Sequence, residues 1–456
     1  MKCLKTSSNV LVLDSKEIAR IKKRNYISFF IIYFTLSIIQ IYLAVYLPLY
    51  LLNICLVVRS ELAFIQVLAF SVLFLDPFLG FSFDKYVKNK KIIISFSILL
   101  FLISFFVLIL FVSIYNYLPI FGIFFALNLL SQGIIKVGIS KMIIDLSANE
   151  IVKDNNLVTI NISSNIGSFI PSIVFLFVLS DLFDLNHWNM FFLIGVLSSL
   201  PMLLSIIFLK DFGNSLQKKK ELQNEVMNSP KMLPKVSPFN FILLFLSYLL
   251  IWSDKLYQFP FSSWILTKFG QQSFNLYSIS YIVFVLLNIS GWIIGQKISK
   301  RENRKFKMFI SEKKKTSALD STLIQEKLMF SFKIKKRKKI IIITVGIYIF
   351  LTFIMAFSDF FLMMIVLGII QVLGGIVLLN YISLMMTFAN NGKHKTFYFQ
   401  CLKLAYAFSC VIFIPLGTYF SDFIPIETLI LIAGMLSTLA LAPLILLKYK
   451  PKKKLF

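Results

Sequence analysis

Five ionisable side chains lie inside long apolar stretches of this 456-residue sequence. Two are aspartates and three are lysines: Asp76, Asp254, Lys136, Lys255 and Lys403. A charged side chain at the centre of a membrane helix costs about 2.5–3.5 kcal/mol on insertion scales, so each is a candidate for binding or moving a polar solute or an ion. The alternative is a static buried pair that fixes helix packing, because an unpaired buried charge is costly.

Three of these charges are predicted to lie at the same depth. Asp76 precedes Asp84, at the end of its apolar stretch, by eight residues, and Lys403 follows Lys395 by eight residues. Lys136 lies about six to seven residues from the end of its own stretch. Since a helix rises about 1.5 Å per residue, all three lie roughly 10–12 Å inside the membrane boundary. We therefore expect Asp76 to pair with Lys403 or with Lys136.

Two apolar stretches contain a stripe of polar side chains. Asn128, Gln132 and Lys136 recur at every fourth residue, which places them on one face of a helix. In a membrane helix such a stripe faces protein or water. It either lines a cavity or forms a hydrogen-bonded seam with a neighbouring helix. Tyr33 and Gln40 form a similar stripe of uncharged polar side chains in the first apolar stretch.

The seventh apolar stretch contains adjacent opposite charges, Asp254 and Lys255, followed by Pro260. Adjacent residues on a helix point about 100° apart, so these two do not pair well directly. Proline removes a backbone donor and crowds the preceding turn, so we expect the helix to kink or end at Pro260. The two charges then belong either to a gate or binding site, or to the outer water boundary.

The elements that position these residues are twelve apolar stretches, each long enough to cross a membrane as a helix, which takes about 20 residues. The composition agrees, since 58% of the residues are hydrophobic and the mean hydropathy is +0.83. We predict an all-α integral membrane protein with spans at 27–50, 62–83, 92–113, 118–141, 157–180, 189–209, 239–264, 274–297, 340–357, 360–388, 396–420 and 427–447.

Lysine and arginine are sorted between the gaps that separate these spans. Of the 47 basic residues, three lie inside spans and the intervening gaps hold only Arg59 and Lys268, so the other 42 occupy every second gap and the two ends. Cytoplasmic loops retain basic residues and translocated loops lose them. The pattern predicts a multi-pass protein of the cell membrane with both termini in the cytoplasm. The net charge of +26 then faces anionic inner-leaflet lipids, which argues against nucleic acid as a partner.

Two long basic gaps divide the chain. One follows the sixth span and separates two groups of six, which is a layout of secondary transporters. The other, 298–339, holds fifteen basic and four acidic residues, and we expect a solvated, partly disordered loop, with an inner-leaflet lipid anchor as the alternative. The predicted organisation is a tail at 1–26, a six-helix bundle at 27–209, a linker at 210–238, a second bundle at 239–447 and a tail at 448–456.

The basic exit of the second span has a distinctive pattern, Gly80-x-x-x-Asp84-Lys85. Together with the six-plus-six layout, it resembles the loop signature of the major facilitator superfamily. The resemblance implies two pseudo-symmetric six-helix halves that rock about a central cavity. It also implies that spans two and eleven face each other across the halves, that span four lines the cavity, and that the signature residues act in gating.

Upstream of the signature, Asp76-Pro77-x-x-Gly80 resembles the glycoside–pentoside–hexuronide:cation symporter branch of that family. Lys403 lies where that branch has a lysine in span eleven. The resemblance implies coupling to a proton or to sodium. Since no histidine lies in a span, a proton carrier has to be a carboxylate, with Asp76 the first candidate and Asp254 the second.

The resulting hypothesis is a secondary transporter that moves a small polar solute by alternating access. Lys136 and Lys403 outnumber Asp76 at their shared depth, which favours an anionic solute. The alternative is a lipid or lysolipid transporter on the same fold, which requires a cavity open sideways to lipid. An enzyme is disfavoured, because the sequence has short outer loops, no glycine-rich phosphate loop, no metal-ligand spacing and no C-x-x-C among its four cysteines, so we expect no cofactor or metal.

Overall fold

A computed structural model describes residues 15–114, 118–146, 150–178, 185–210, 237–315, 322–389 and 394–447 of the chain. Every regular element in these ranges is helical. Within them, twelve stretches are long and apolar enough to cross a membrane, which confirms the predicted fold class. Numbered as spans one to twelve, they are Lys23–Leu52, Arg59–Lys85, Lys90–Leu110, Phe121–Asp145, Asn156–Val178, Leu185–Phe208, Pro238–Gln258, Ile279–Arg301, Ile334–Ala356, Phe360–Ala389, Lys395–Phe420 and Ile426–Leu446.

The α-helices follow the spans, and several spans are divided by short turns. In the first group of six spans they are α1 (Ser15–Ile41), α2 (Leu47–Asn53), α3 (Arg59–Ser71), α4 (Asp76–Lys85), α5 (Lys90–Ile114), α6 (Leu118–Leu146), α7 (Glu150–Val178), α8 (Leu185–Ser199) and α9 (Met202–Phe208). In the second group they are α10 (Pro238–Ile251), α11 (Lys255–Lys315), α12 (Thr322–Ala356), α13 (Phe360–Ala389), α14 (Lys395–Phe420), α15 (Ile426–Leu439) and α16 (Leu441–Leu446).

Three divisions in the described spans are single turns with altered helical hydrogen bonding. A π-helical turn covers Tyr42–Tyr46 in span one, and 3-10 turns cover Val72–Leu75 in span two and Trp252–Asp254 in span seven. A 3-10 turn has about 3.0 residues and an α-turn about 3.6, so each 3-10 turn changes the direction of the side chains that follow it. The residues that follow are Asp76 and Lys255, two of the intramembrane charges.

Aromatic packing holds the π-helical turn of span one. Tyr42 and Tyr46 are buried against Phe191 of span six, with ring centroids 4.6 and 5.0 Å from it. Tyr42 donates a hydrogen bond to the carbonyl of Phe191 at 3.2 Å, and Tyr46 donates to the hydroxyl of Ser172 at 3.0 Å. Because buried hydroxyls need partners, these bonds make the irregular turn compatible with its apolar surroundings.

The two halves repeat one close helix crossing. In the first half, Gly167 of span five lies against the carbonyl of Phe34 in span one, and a Cβ atom there would lie 2.1 Å from that oxygen. In the second half, Gly417 of span eleven lies against the carbonyl of Leu256 in span seven, and a Cβ atom would lie 1.8 Å from it. Small residues permit such approaches in membrane bundles. The repeat joins equivalent spans of the two halves, which supports their pseudo-symmetry.

The helix of span seven does not end at Pro260. Helix α11 continues through this residue, and the irregular turn lies earlier, at Trp252–Asp254. Proline has no N–H to donate to the carbonyl four residues before it, which is that of Leu256. This is the carbonyl that Gly417 approaches, so span eleven packs where the helix of span seven lacks a hydrogen bond.

The long basic segment at 298–339, predicted to be a solvated and partly disordered loop, is helical over most of its length. Helix α11 extends to Lys315 and helix α12 begins at Thr322. Spans eight and nine already supply nucleated helices, and lysine extends a helix at low cost. The predicted linker at 210–238 lies outside the described residues except at its ends, as do residues 1–14 and the tail at 448–456, so the predicted boundaries stay predictions.

Candidate functional site

A cavity of about 420 Å³ lies between the two halves. Spans one, two, four and five line it from the first half, and spans seven, ten and eleven line it from the second. Four of the described side chains in its wall are charged: Asp76, Lys136, Lys255 and Lys403. Three positive charges and one negative charge leave the wall with a net charge of +2. The three residues predicted to share a depth therefore meet at one cavity.

Asp76 reaches the cavity from the start of helix α4. The 3-10 turn at Val72–Leu75 precedes it, and Pro77 occupies the first helical turn, where a missing N–H is tolerated. The Oδ1 atom of Asp76 points at Gly133 of span four, where a Cβ atom would lie 2.7 Å from that oxygen. Glycine at this position therefore leaves room for the carboxylate.

The polar stripe of span four forms a ladder of hydrogen bonds. Lys136 donates to the side-chain oxygen of Gln132 at 3.2 Å, and Gln132 donates to that of Asn128 at 3.1 Å. Asn128 is fully buried and donates to the carbonyl of Phe101 and to the hydroxyl of Ser104, each at 3.1 Å. The stripe thus serves both predicted purposes, since Gln132 and Lys136 line the cavity while Asn128 anchors them to span three.

Asp76 lies near Lys403 and Lys136 but does not form a direct ion pair with either of these described lysines. Asp76 interacts electrostatically with both Lys403 and Lys136. Among the described residues, neither lysine forms a direct ion pair with Asp76. The ammonium group of Lys403 instead lies 5.7 Å from the ring centroid of Phe399. In this conformation the three charged groups are spread around the cavity with space between them.

Asp254 and Lys255 have different surroundings, as their angular separation on a helix predicts. The Nζ atom of Lys255 lies 5.1 Å from the ring centroid of Trp252 and 5.9 Å from that of Tyr406, and it donates to the side-chain oxygen of Gln258. Asp254 does not belong to the cavity wall. Its Oδ1 atom is buried and has no hydrogen-bond partner in the described part of the chain.

Other side chains complete the wall. Tyr33 and Gln40 of span one lie in it. Sequence reasoning did not identify Trp252 and Tyr406, which form an aromatic surface on the second half. Each lies three residues from an intramembrane lysine, and that spacing, which shares a helix face, is the signal that identifies them. Within the described ranges, no group of His, Cys, Asp or Glu side chains is arranged to hold a metal ion.

Spans two and eleven meet at the end of the bundle that carries Lys85 and Lys395, which we call the basic face. The Oδ2 atom of Asp84 accepts hydrogen bonds from the backbone N–H groups of Thr396 and Phe397, at 2.9 and 3.1 Å. These donors begin helix α14, whose N-terminal partial charge favours a carboxylate. At the basic face, the side chain of Asp84 thereby holds the first half to the second.

The same carboxylate is supported from within its own half. Its Oδ1 atom pairs with Lys141 of span four at 2.9 Å, and Lys141 also pairs with Asp145 at 3.1 Å. Gly80 allows the helices to approach, since a Cβ atom there would lie 3.1 Å from the carbonyl of Thr396. Lys85, by contrast, stays with its own span and lies 5.4 Å from the ring centroid of Phe81.

Spans two and eleven are also bridged at the other end of the bundle, which carries Arg59 and Asp422 and which we call the opposite face. Arg59 pairs with Asp422 at 3.1 Å and donates to the hydroxyl of Ser421 at 2.8 Å. One turn or two deeper, Thr418 donates to the side-chain oxygen of Gln66 at 3.0 Å. Contacts at both ends of this helix pair therefore enclose the cavity on one side.

A second seam closes the other side of the cavity. Asn165 of span five donates to Asn288 of span eight at 3.0 Å, and Asn288 donates to the carbonyl of Gln371 in span ten at 3.0 Å. The seam therefore joins the first half to the second through neutral amides. A charged cavity between two halves that are bridged at both faces is the arrangement of a membrane transporter that exposes one site to each side in turn.

The comparison with known families agrees with this class. The family model described as the Major Facilitator Superfamily matches residues 16–311, which is more than half of the chain. The chain belongs to the major facilitator superfamily. A comparison with the sequences of curated proteins finds no match.

Solved structures of the same superfamily share the fold. The transporter FucP in the outward conformation is 14% identical, with a TM-score of 0.61 over 93% of this chain and 99% of that one. The proton:xylose symporter XylE, bound to 6-bromo-6-deoxy-D-glucose, is 12% identical, with a TM-score of 0.63 over 94% of this chain and 95% of that one. The partially occluded, inward-open xylose transporter XylE from E. coli is 12% identical, with a TM-score of 0.62 over 96% and 99%.

Proposed function

We propose that this protein is a secondary transporter that moves a small anionic solute across the membrane by alternating access. The observation that carries the proposal is the imbalance of charge in the cavity wall, where three lysines accompany a single aspartate. Inside a cavity between apolar helices, charges interact more strongly than in water because the effective dielectric constant is lower. A bound anion offsets the uncompensated positive charge, whereas a cation adds to it.

The arrangement of the lysines supports the same substrate class. Lys136 and Lys403 flank Asp76 without pairing directly with it, so their ammonium groups can reach a solute. Ammonium groups form strong, charge-assisted hydrogen bonds to carboxylate and phosphate oxygens. A carboxylate, a sugar acid or a phosphate ester would each meet this requirement.

We further propose that the coupling ion is a proton carried by Asp76. This carboxylate is the one acidic side chain among the described residues of the cavity wall. Two nearby ammonium groups repel a sodium ion, and a sodium site needs several oxygen ligands, whereas a proton needs one carboxylate. XylE, a transporter with the same fold, is described as a proton:xylose symporter, which is consistent with a proton as the coupling ion.

The lipid alternative requires a cavity that opens sideways between spans two and eleven or between spans five and eight. In the described residues, both seams are bridged by polar contacts, through Arg59 and Asp84 in the first and Asn165 in the second. This geometry favours a small solute over a lipid. Because cytoplasmic loops retain basic residues, we place the basic face in the cytoplasm. We place membrane lipids, including anionic inner-leaflet lipids, against the helical extensions of spans eight and nine.

The proposal is tested with purified protein in proteoliposomes under imposed proton and sodium gradients. Uptake of a panel of organic anions is compared with uptake of their neutral analogues, for the wild type and for the double variant Lys136→Gln/Lys403→Gln. We expect anion uptake by the wild type and at least a tenfold loss in the double variant. Lys88→Gln, an exposed position on the basic face outside the cavity, is the matched control. Unchanged anion preference in the double variant would contradict the proposal.

A further inference from the structure

We propose that the transported solute carries two anionic groups at opposite ends, an inference that rests on the proposed function. The cavity presents its ammonium groups at two separate places along span eleven. Lys403 lies beside the ring of Phe399, 5.7 Å from its centroid. Lys255 lies beside the ring of Tyr406, 5.9 Å from its centroid. These two rings serve as reference points for the separation of the two charges.

The separation follows from helix geometry. Phe399 and Tyr406 are seven residues apart on helix α14. Seven residues correspond to about 10.5 Å of rise and to almost two complete turns, so the rings lie on nearly the same face of the helix. The ammonium groups of Lys403 and Lys255 therefore lie beside two residues that are about 10 Å apart along span eleven, at two different levels of the cavity.

The inner of these two positions is shared by both halves of the protein. Lys403 belongs to span eleven and Lys136 to span four, and both interact electrostatically with Asp76. Two positive charges and one negative charge leave this position with one positive charge in excess. It can therefore hold one anionic group while Asp76 stays ionised.

The outer position is built from the second half alone. Lys255 belongs to span seven and is accompanied by the side chain of Gln258 and by the rings of Trp252 and Tyr406. Asp254 is its neighbour in the chain, but that carboxylate lies outside the cavity wall. A solute in the cavity therefore meets the ammonium group and one amide here.

Much of the cavity wall is apolar, beside polar side chains such as Gln132 and Tyr33. Span ten contributes Leu378, Ile382 and Met386 to the wall, and span four contributes Leu129. An ammonium nitrogen lies about 2.8 Å from a carboxylate oxygen that it binds. Two anionic groups that bind at these two levels must themselves be joined by a spacer of several atoms. A short linear dicarboxylate has this chemistry.

A monoanion would engage only one of the two positions and so gain fewer charge-assisted hydrogen bonds. The proposal is therefore tested by comparing adipate, which has two carboxylates, with monomethyl adipate and hexanoate, which have one. Thermal protection of the purified protein measures binding of each probe independently of any coupling ion. Uptake into proteoliposomes measures transport of the same three compounds.

We expect the wild type to bind adipate at least tenfold more tightly than either monoanion. Lys255→Gln should weaken adipate binding more than monoanion binding and bring it to the level of the monoanions, whereas Lys403→Gln should weaken all three. Lys255→Arg should retain the preference for adipate, which shows that a loss in Lys255→Gln is due to charge rather than to misfolding. Lys88→Gln should behave as the wild type.

The possible failures are distinguishable. Equal binding of adipate and monomethyl adipate by the wild type overturns the two-position arrangement while leaving anion transport intact. An equal loss of binding for all three probes in Lys255→Gln overturns it as well, because the outer lysine then acts on every anion. Absence of protection and uptake for every anion contradicts the proposed function itself, and the present inference with it.

Discussion

The lysines of the cavity have neutral partners, which determines what they can still bind. Lys136 and Lys255 each donate to a glutamine of their own span, and Lys403 lies against the ring of Phe399. A neutral partner holds the side chain in place without pairing its charge, and Asp76 is the one carboxylate among the described residues of the cavity wall. Because three lysines share that carboxylate, an anion is favoured in the cavity. The same lysines held in direct ion pairs would have little affinity left for a solute.

The contact between Asp76 and Gly133 leads to a prediction at the residue scale. Alanine at 133 would place its Cβ atom 2.7 Å from Oδ1 of Asp76, so the carboxylate has to move. The side chain can turn away at little cost, so we expect the free energy of unfolding to change by less than about 1 kcal/mol. Misplacement of a functional group by about 1 Å is expected to reduce uptake about tenfold or more.

The matched control for Gly133→Ala is Gly346→Ala in span nine, where no atom lies within 4 Å of an added Cβ. Uptake and thermal unfolding are measured for both variants. Gly346→Ala should match the wild type in uptake and be at least as stable, because alanine favours a helix more than glycine does. Equal uptake by Gly133→Ala and the wild type would show that the position of the carboxylate does not matter.

A second prediction at this scale concerns Asp76 as the proposed proton carrier. Asp76→Asn keeps the shape of the side chain but cannot bind or release a proton. We expect accumulation driven by a proton gradient to be lost, while exchange of internal for external adipate continues, since exchange needs no net proton movement. Both processes are measured in the same proteoliposomes. Proton-driven accumulation at the wild-type rate in Asp76→Asn would contradict this role.

At the scale of elements, spans two and eleven pack closely at the basic face around a buried amide that has no hydrogen-bond partner among the described residues. Gln400 of span eleven is fully buried, and a Cβ atom on Gly80 would lie 3.1 Å from its Cγ atom. Both polar atoms of the Gln400 amide are without a hydrogen-bond partner among the described residues. An unsatisfied buried polar group costs about 1–3 kcal/mol, so this amide destabilises the closed basic face.

Replacement of Gln400 by methionine therefore has a predictable effect. Gln400→Met removes the unsatisfied groups and keeps a similar volume, so we expect the free energy of unfolding to rise by about 1–3 kcal/mol. Transport should slow, because the closed basic face becomes harder to open. The contrasting variant is Gln66→Met, since the buried oxygen of Gln66 already accepts a bond from Thr418 at 3.0 Å. Gln66→Met should be no more stable than the wild type. Equal stabilisation by Gln66→Met and Gln400→Met would show that the unsatisfied amide of Gln400 is not the cause.

The elements themselves were largely predictable from the sequence, because apolar length and loop charge are local properties of the chain. The contacts between them were not. The signature residue Asp84 was identified, but its partners are backbone N–H groups of Thr396 and Phe397, which no pattern of side chains reveals. Whether Asp76 would pair with a lysine depended on the directions of long, flexible side chains. The helical extension at 298–315 was missed because charge density alone does not distinguish a solvated helix from a solvated loop.

At the scale of the whole molecule, the sorting of basic residues gives a testable orientation. After replacement of the four native cysteines, Lys88→Cys places a thiol at the basic face and Phe423→Cys places one at the opposite face, where Phe423 is 70% exposed. By the charge rule, a membrane-impermeant maleimide should label position 423 in intact cells and position 88 only after the membrane is opened. The reverse pattern would invert the proposed orientation.

The two faces of the helix pair formed by spans two and eleven are held shut by different chemistry. At the opposite face, the ion pair of Arg59 and Asp422 has side chains 26% and 43% exposed, and such pairs contribute about 0–1 kcal/mol. At the basic face, the Asp84 side chain is 4% exposed and accepts hydrogen bonds from the backbone N–H groups of Thr396 and Phe397, and hydrogen bonds to a charged group contribute about 1.5–3 kcal/mol each.

The unsatisfied amide of Gln400 offsets part of that stronger attachment, so the free energies required to open the two faces are closer than their contacts suggest. A protein with such a balance is not committed to face one compartment when it is empty. The net flow through a proton-coupled protein of this kind is determined by the solute and proton gradients together, and the same molecule would take up its solute or release it as those gradients change.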